Sequence, residues 1–161
     1  MKPIPFPSRL CYIPLDSRPV CYDLPIRLAE SAGIELDMPA KNLLGHLKTP
    51  ANFPALKRWM KNHLFELAPI VVALDTLAYG GLIPSRLGNE LEDELQKRID
   101  LFFHSAQSPR VFAFSSIMRI PNYNLAEEEP DYWSEYGQAL YQYSVEHHEH
   151  AAANVLPLDF P

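Results

Sequence analysis

The chain has 161 residues, of which 47% are hydrophobic and 21% charged, and its 14 basic and 20 acidic residues give a net charge of −6. This length favours a single domain with one core, since domains commonly have about 100–200 residues. An acidic chain without a cluster of Lys and Arg has no general attraction for phosphate backbones or anionic lipid. We therefore expect neither nucleic acid nor membranes as partners.

The N-terminal sequence and the cysteines indicate a cytoplasmic protein. Three prolines occur in the first seven residues, and no apolar run there has the length of a signal peptide. The longest apolar run, residues 69–74, is too short to cross a bilayer. Cys11 and Cys21 match no zinc spacing and cannot form a disulfide framework, so a reducing compartment is the simplest expectation.

The first half of the chain predicts two strand–helix units. Residues 10–15 form the first expected strand, and the helix after it runs from Asp23, a capping residue, to Gly33, a left-handed stop. Residues 34–38 form the second strand, and the second helix begins near one of two cap-and-proline sequences, at 49–50 or at 52–54. The apolar stripe of that helix contains Leu56, Trp59, Met60, Leu64 and Leu67.

The second half predicts two more units. Residues 70–74 form a continuous apolar strand that suits cover on both faces, and its helix begins with Asn89 and Glu92 as a capping pair. Residues 111–114 form the fourth strand, and a last helix begins near Pro130. The expected buried face of the third helix contains Leu91, Leu95, Ile99, Phe102 and Phe103. The residues with core spacing on the last helix are Tyr132, Trp133, Tyr136, Leu140 and Tyr143.

Four alternating units predict an α/β fold in which four βα units form a parallel sheet flanked by helices. Two architectures share this pattern. One is a small doubly wound sheet, and the other is the first half of a TIM-like barrel, which typically has about 250 residues. We expect residues 1–161 to form one domain. The tail resembles the start of a fifth unit, which predicts a truncated N-terminal part of a longer protein.

Three polar segments follow strands, at residues 16–19, 75–86 and 115–124. Because ligands of parallel α/β sheets bind beyond the carboxyl ends of the strands, these segments form the predicted site. Asp16 and Asp75 are the candidate catalytic residues. The candidate substrate-binding residues are Arg18, Tyr79, Gly80, Gly81, Arg86, Arg119, Asn122 and Tyr123.

These residue types allow two interpretations. Two carboxylates in one pocket can divide acid and base work, because repulsion and burial separate their pKa values. The arginines can hold a carboxylate or phosphate ligand, and Gly80 and Gly81 let the backbone come close to a ligand or make a tight turn. In the structural alternative, ion pairs join Asp16 to Arg18 and Asp75 to Arg86 and merely order the loops.

The histidines give weaker signals. His46 follows a glycine after the second strand, and it either faces the same pocket or stabilises its loop. His147, His148 and His150 resemble a metal cluster, but His148 points away from the other two on a helix, which favours a solvated helix end over a zinc site. No P-loop, dinucleotide fingerprint or Gly-x-Ser-x-Gly elbow occurs, so we expect no cofactor, no metal and no serine hydrolase.

The most distinctive sequences are IPLDSRPV at residues 13–20, LDTLAYGGLIPSR at 74–86 and SSIMRIP at 115–121. They resemble the motifs of a bacterial protein family of unknown function, DUF4127. The resemblance covers essentially the whole chain, which corresponds to the N-terminal portion of longer family members. The family pattern often has a second aspartate where Ser17 stands, and this departure weakens a two-carboxylate role for the first segment. The resemblance implies no established activity.

Three functional outcomes fit these residues. The first is hydrolysis of a carbohydrate, with Asp75 as acid, base or nucleophile, Asp16 as its electrostatic partner and Tyr79 stacking on a sugar ring. The style of the motifs resembles barrel glycosidases, which is an analogy of fold alone. The alternative is non-catalytic binding of a small anion by the arginines. A third is an inactive fragment that self-associates through unpaired sheet edges.

Overall fold

A computed structural model describes residues 7–63, 68–88, 90–106 and 110–154. The chain divides into two compact units, Met1–Ser116 and Ile117–Pro161, which we call the sheet unit and the C-terminal unit. The sheet unit contains all the described strands, and the C-terminal unit contains one long helix.

The sheet unit alternates strands and helices. Its strands are β1 (Arg9–Ile13), β2 (Glu35–Asp37), β3 (Ile70–Ala73) and β4 (Val111–Phe114). Its helices are α1 (Asp23–Ser31), α2 (Phe53–His63), α3 (Leu74–Tyr79), α4 (Pro84–Leu87) and α5 (Glu92–Ser105), with a short 3-10 helix at Lys41–Leu43. The C-terminal unit contains α6 (Trp133–Asn154). Among the helices that the structure describes, none is long and apolar enough to cross a bilayer.

The four strands form one parallel sheet in the order β2–β1–β3–β4. Cys11 of β1 lies opposite Ile70 of β3, and Ile70 lies opposite Val111 of β4. Consecutive strands would be neighbours in a barrel, whereas β2 and β3 lie on opposite sides of β1. The α/β fold with a parallel sheet is therefore confirmed, and the barrel alternative is wrong. The order reverses between β1 and β3, which is the switch point where doubly wound sheets bind ligands.

One face of the sheet carries the core. Cys11, Ile13, Ile70 and Val72 are buried on this face in a single apolar cluster. The helices and the segment before α2 add Ala51, Leu56, Trp59, Met60, Leu77 and Phe102 to that cluster. Tyr12, which alternates with the buried residues of β1, is only half-buried. The face covered by α2, α3 and α5 is therefore the better packed of the two.

Of the three boundaries predicted for α1 and α2, two are confirmed. Asn52 caps α2, since its Oδ1 accepts a hydrogen bond from a backbone N–H of the first turn at 3.1 Å. Gly33 ends α1 with a φ of +67°, in the left-handed region that favours glycine. The expected cap at Asp23 is wrong, because Tyr22 occupies that position and Asp23 is the first helical residue.

The expected buried faces are confirmed in part. Phe102 is fully buried, and Trp133 is buried on α6. The side chains that were expected in the core but are exposed are Leu91, Phe103, Tyr132, Tyr136, Leu140 and Tyr143. Leu91 precedes α5 in an extended conformation, and Phe103 lies about 100° around the helix from Phe102. Leu64, Leu67 and Asn89 lie outside the described residues.

Candidate functional site

The segments after β1 and β3 are joined at the switch point of the sheet. Thr76 is fully buried, and its hydroxyl lies 2.6 Å from Pro14 O and 2.7 Å from Leu15 O. Asp16 and Asp75 adjoin this contact in the sequence and are only 6% and 5% exposed. An unpaired buried carboxylate is strongly unfavourable, so the partners of these two residues determine their role.

Both carboxylate oxygens of Asp16 are bound by Arg18. Its Oδ1 accepts a hydrogen bond from the Arg18 backbone N–H at 3.0 Å, and its Oδ2 lies 2.7 Å from both Nε and Nη2 of the guanidinium. The Asp16–Arg18 ion pair of the structural alternative is therefore present. Because the Arg18 side chain is 36% exposed, its guanidinium extends from the buried carboxylate to the surface.

Two weak acids close to Asp16 remain protonated at neutral pH. Burial, together with the neighbouring Asp16 carboxylate, raises the pKa of the Cys21 thiol to about 11. Burial also raises the pKa of Tyr12, with smaller contributions from Cys21 and Asp16. Both Cys11 and Cys21 are free thiols. A thiol with a raised pKa is a poor nucleophile, so Cys21 has no catalytic signature.

Asp75 lies in the first turn of α3, where the sequence predicted a loop over residues 75–86. Its Oδ2 accepts a hydrogen bond from the backbone N–H of Ser116 at 3.0 Å, which joins α3 to the segment after β4. Asp75 therefore binds a backbone amide instead of pairing with Arg86. The other oxygen, Oδ1, has no hydrogen-bond partner among the described residues.

The two glycines after α3 allow the chain to pack closely on the preceding loop. Gly80 has a φ of +87° and its carbonyl accepts a hydrogen bond from the Ala51 N–H at 3.0 Å. A Cβ atom on Gly80 would lie 2.6 Å from Ala51 N, and one on Gly45 would collide with Gly80 O. A Cβ atom on Gly81 would lie 3.8 Å from the Cβ of Asp16. The close contacts of this pair are with the protein itself, and a role of the two glycines in binding a ligand stays a prediction.

A small cavity and an open groove adjoin Asp16. The cavity, of about 10 Å³, has room for about one water molecule and is lined by Asp16, Ser17, His46 and Gly81 among others. The groove encloses about 760 Å³. Its polar lining consists of Ser17, Arg18, Lys41, Asn42, His46 and Thr49. Ser17 Oγ lies 3.5 Å from His46 Nδ1, so His46 faces the same pocket as Asp16.

The cations of this groove differ in how firmly they are held. Arg18 is paired with a nearly buried carboxylate, which fixes its position. Lys41 pairs with Asp23 at 2.8 Å, and the two side chains are 46% and 41% exposed. Exposed ion pairs contribute at most about 1 kcal/mol to stability. An incoming anion can therefore replace Asp23 at Lys41 with little loss of stability.

The amino-acid sequence, taken over almost its whole length, also shows which family the protein belongs to. Residues 10–157 match the model of the family described as "Protein of unknown function (DUF4127)". The chain belongs to the DUF4127 family. Comparison with curated proteins and with solved structures gives no match. Membership brings no known activity with it, so function has to be argued from the site itself.

The remaining candidate substrate-binding residues divide between the two units. Tyr79 is the last residue of α3 and Arg86 lies in α4, and both are half-buried in the sheet unit. Arg119 and Asn122 are exposed and Tyr123 is half-buried in the C-terminal unit. A shared site that includes these three residues stays a prediction.

The histidines of α6 belong to the C-terminal unit. His147 and His148 are exposed, and the side chain of His150 is not among the described ones. Within the described parts of the chain, no group of three or more His, Cys, Asp or Glu side chains is arranged to hold a metal ion.

Three residues that shape the site were not singled out from the sequence. Lys41 belongs to the segment after β2, and applying the carboxyl-end rule to that strand as well would have found it. Thr76 and Ser116 act through contacts with residues 61 and 41 positions away in the sequence, respectively. Contacts over such separations have no local sequence signal.

Proposed function

We propose that this protein binds a small polar molecule with an anionic group, such as a phosphate or carboxylate, in the groove at the carboxyl end of β1. The observation that carries the proposal is the convergence of Arg18, Lys41 and His46 on one groove beside the switch point. Nitrogen donors from Arg and Lys are suited to carboxylate and phosphate oxygens. The hydroxyl and amide groups of Ser17 and Asn42 supply neutral hydrogen bonds for orientation.

The two cations have different roles in this proposal. Arg18 is held by Asp16 through two guanidinium nitrogens, so its position is set before a ligand arrives. Preorganisation of this kind increases affinity because less freedom is lost on binding. Lys41 exchanges its exposed partner Asp23 for the ligand anion. The ligand thus meets one fixed cation and one cation that is released on binding.

A phosphate titration of the native chain and three variants tests these different roles of Arg18 and Lys41. We expect inorganic phosphate to raise the melting temperature of the native chain above that in NaCl of the same ionic strength. Lys41→Gln should weaken the response several-fold, and Asp23→Asn should strengthen it, because the lysine then has no internal competitor. Lys61→Gln, which removes an exposed lysine of α2 that does not line the groove, is the matched control. Equal responses of Lys41→Gln and Lys61→Gln would contradict the proposal.

Hydrolysis of a carbohydrate is a second candidate, and one observation favours it. Asp75 is nearly buried, yet its Oδ1 has no hydrogen-bond partner among the described residues. A carboxylate oxygen in this state is available to a substrate hydroxyl or water molecule. In this candidate Asp75 acts as acid, base or nucleophile, Asp16 supports it electrostatically, and Tyr79 stacks on a sugar ring.

A screen of chromogenic glycosides separates this candidate from simple binding. Hydrolysis by the native chain together with loss of turnover in Asp75→Asn would support it, since the amide cannot exchange protons as a carboxylate does. Equal turnover by both proteins would exclude a catalytic Asp75. Phosphate stabilisation without turnover of any glycoside would leave the binding proposal as the function.

A further inference from the structure

A second opening of the sheet unit lies between α2 and α5. It encloses about 480 Å³, which is within the usual range for sites of small organic ligands. Its apolar lining includes Leu56 and Leu77, which are almost fully buried, together with Phe53 and Leu101. None of these four residues lines the groove at the end of β1.

One wall of this opening is held in place by Arg98. The guanidinium carbon of Arg98 lies 3.7 Å from the ring centroid of Phe53, a distance typical of a cation–π contact. Its Nη1 donates a hydrogen bond to Ala78 O at 2.6 Å, and its Nη2 donates one to Glu90 Oε2 at 3.1 Å. The hydrogen bonds to Ala78 and Glu90 fix the guanidinium of Arg98. The Phe53 ring packs against this guanidinium and therefore does not fill the opening. The space is therefore preformed.

The two lysines that line the opening differ in whether an acidic side chain pairs with them. Lys97 pairs with Glu94 at 2.7 Å, and both residues line the opening. Lys57 also lines the opening and is exposed. Its side chain forms no ion pair or hydrogen bond with the residues that the structure describes. Lys57, a cation without an ion-pair partner in the described part of the chain, thus lies next to an apolar space.

We propose that this opening binds a small amphipathic carboxylate, namely a medium-chain acyl carboxylate. Its hydrocarbon chain would contact Leu56, Leu77 and Leu101, and its carboxylate would pair with Lys57. An apolar body with one anionic end matches a preformed apolar space with Lys57 at its margin, where no described side chain pairs with that cation. The volume of about 480 Å³ suits a small ligand rather than a peptide helix, whose apolar face needs an extended groove.

Isothermal titration of the full chain with hexanoate, octanoate and decanoate, each below its micelle concentration, tests the apolar part. Each added pair of methylenes should raise the affinity about 15-fold, since one buried methylene contributes about fourfold. Saturating phosphate should leave these affinities unchanged, because the two sites share no residue. Absence of binding by all three carboxylates, or affinities that do not depend on chain length, would overturn the proposal.

Charge variants on α2 test the role of Lys57. Lys57→Gln should weaken octanoate binding about fivefold, the upper limit for an exposed ion pair, and should leave binding of 1-octanol unchanged. Lys61→Gln lies one turn further along the same helix and should change neither. Lys57→Glu should reverse the preference, so that octylammonium binds better than octanoate. Identical octanoate affinities for Lys57→Gln and Lys61→Gln would overturn the assignment of the carboxylate to Lys57.

Discussion

Two nearly buried aspartates follow neighbouring strands of one sheet, but they differ in their partners. Asp16 is bound by the backbone and guanidinium of Arg18, so its charge is compensated within its own turn. Asp75 accepts a single backbone hydrogen bond from Ser116, and among the described residues no cation pairs with it. The comparison shows that equivalent positions at a switch point do not carry equivalent chemistry. Asp16 holds the guanidinium of Arg18 in place, whereas Oδ1 of Asp75 has no hydrogen-bond partner among the described residues.

Removal of the cation beside Asp16 should have the largest effect on stability. Arg18→Met leaves a nearly buried carboxylate without its partner, and we expect the free energy of unfolding to fall by about 3 kcal/mol. The loss is at the low end for buried pairs because the Arg18 side chain is 36% exposed. Urea unfolding measures it. The double variant Asp16→Asn/Arg18→Met should recover part of the loss, and failure to recover any would show that the charge is not its cause.

Loss of the contact between Thr76 and the segment after β1 should have the second largest effect on stability. Thr76→Val removes the hydroxyl that donates to Pro14 O or Leu15 O, and unsatisfied buried carbonyls should lower the free energy of unfolding by about 2 kcal/mol. Thr76→Ser keeps the hydroxyl and should lose only about 1 kcal/mol for the missing methyl group. The comparison of the two by urea unfolding is decisive, since a smaller loss for Thr76→Val than for Thr76→Ser would mean that packing and not the hydroxyl matters at this position.

Neutralising Asp75 should have a smaller effect than either. Asp75→Asn keeps an oxygen that can accept the Ser116 N–H and removes a charge that has no cationic partner in the described chain. We expect the free energy of unfolding to change by less than about 1 kcal/mol. A loss as large as that of Arg18→Met would indicate that the Asp75 charge is compensated as firmly as that of Asp16.

The smallest expected effect is a change in how stability depends on pH, and it arises from Cys21. Its pKa is raised from 9.0 to about 11 in the folded protein, so the unfolded chain releases the thiol proton at a lower pH than the folded one. This contribution to stability is fully present below pH 9 and is lost as the pH rises toward 11. Stability of Cys21→Ala should fall less steeply over that range than stability of the native chain. Parallel curves would contradict the influence of Asp16 and burial on this thiol.

The extent to which the sequence predicted this molecule depends on how local each feature is. The strands and the Asp16–Arg18 pair were predictable because apolar runs and a separation of two residues are visible along the chain. The strand order was not predictable, because a right-handed crossover to either side of β1 obeys the same rules. Helix α3 was missed because it is only six residues long and is followed by the loop signals of Gly80, Gly81 and Pro84.

The site shows the same division between local and distant features. Its position beyond the strand ends followed from the alternation of elements, and His46 was among the weighed candidates. The joint action of Lys41 with Arg18 required the order of the strands, since β2 is brought beside β1 only in the folded sheet. The exposed tyrosines of α6 show that core spacing does not determine burial when the packing partner of a helix is unknown from the sequence.

The central claim is that an anion binds between the segments after β1 and β2 and not at Asp75. Titration of ¹⁵N-labelled protein with phosphate, followed by two-dimensional NMR at constant ionic strength, tests it most directly. We expect saturable shifts of the backbone amide signals of Ser17, Asn42 and His46, with the amide signal of Ser116 unchanged. Saturable shifts at Ser116 without shifts at Ser17, Asn42 and His46, or no saturable shift at any of the four, would contradict the claim.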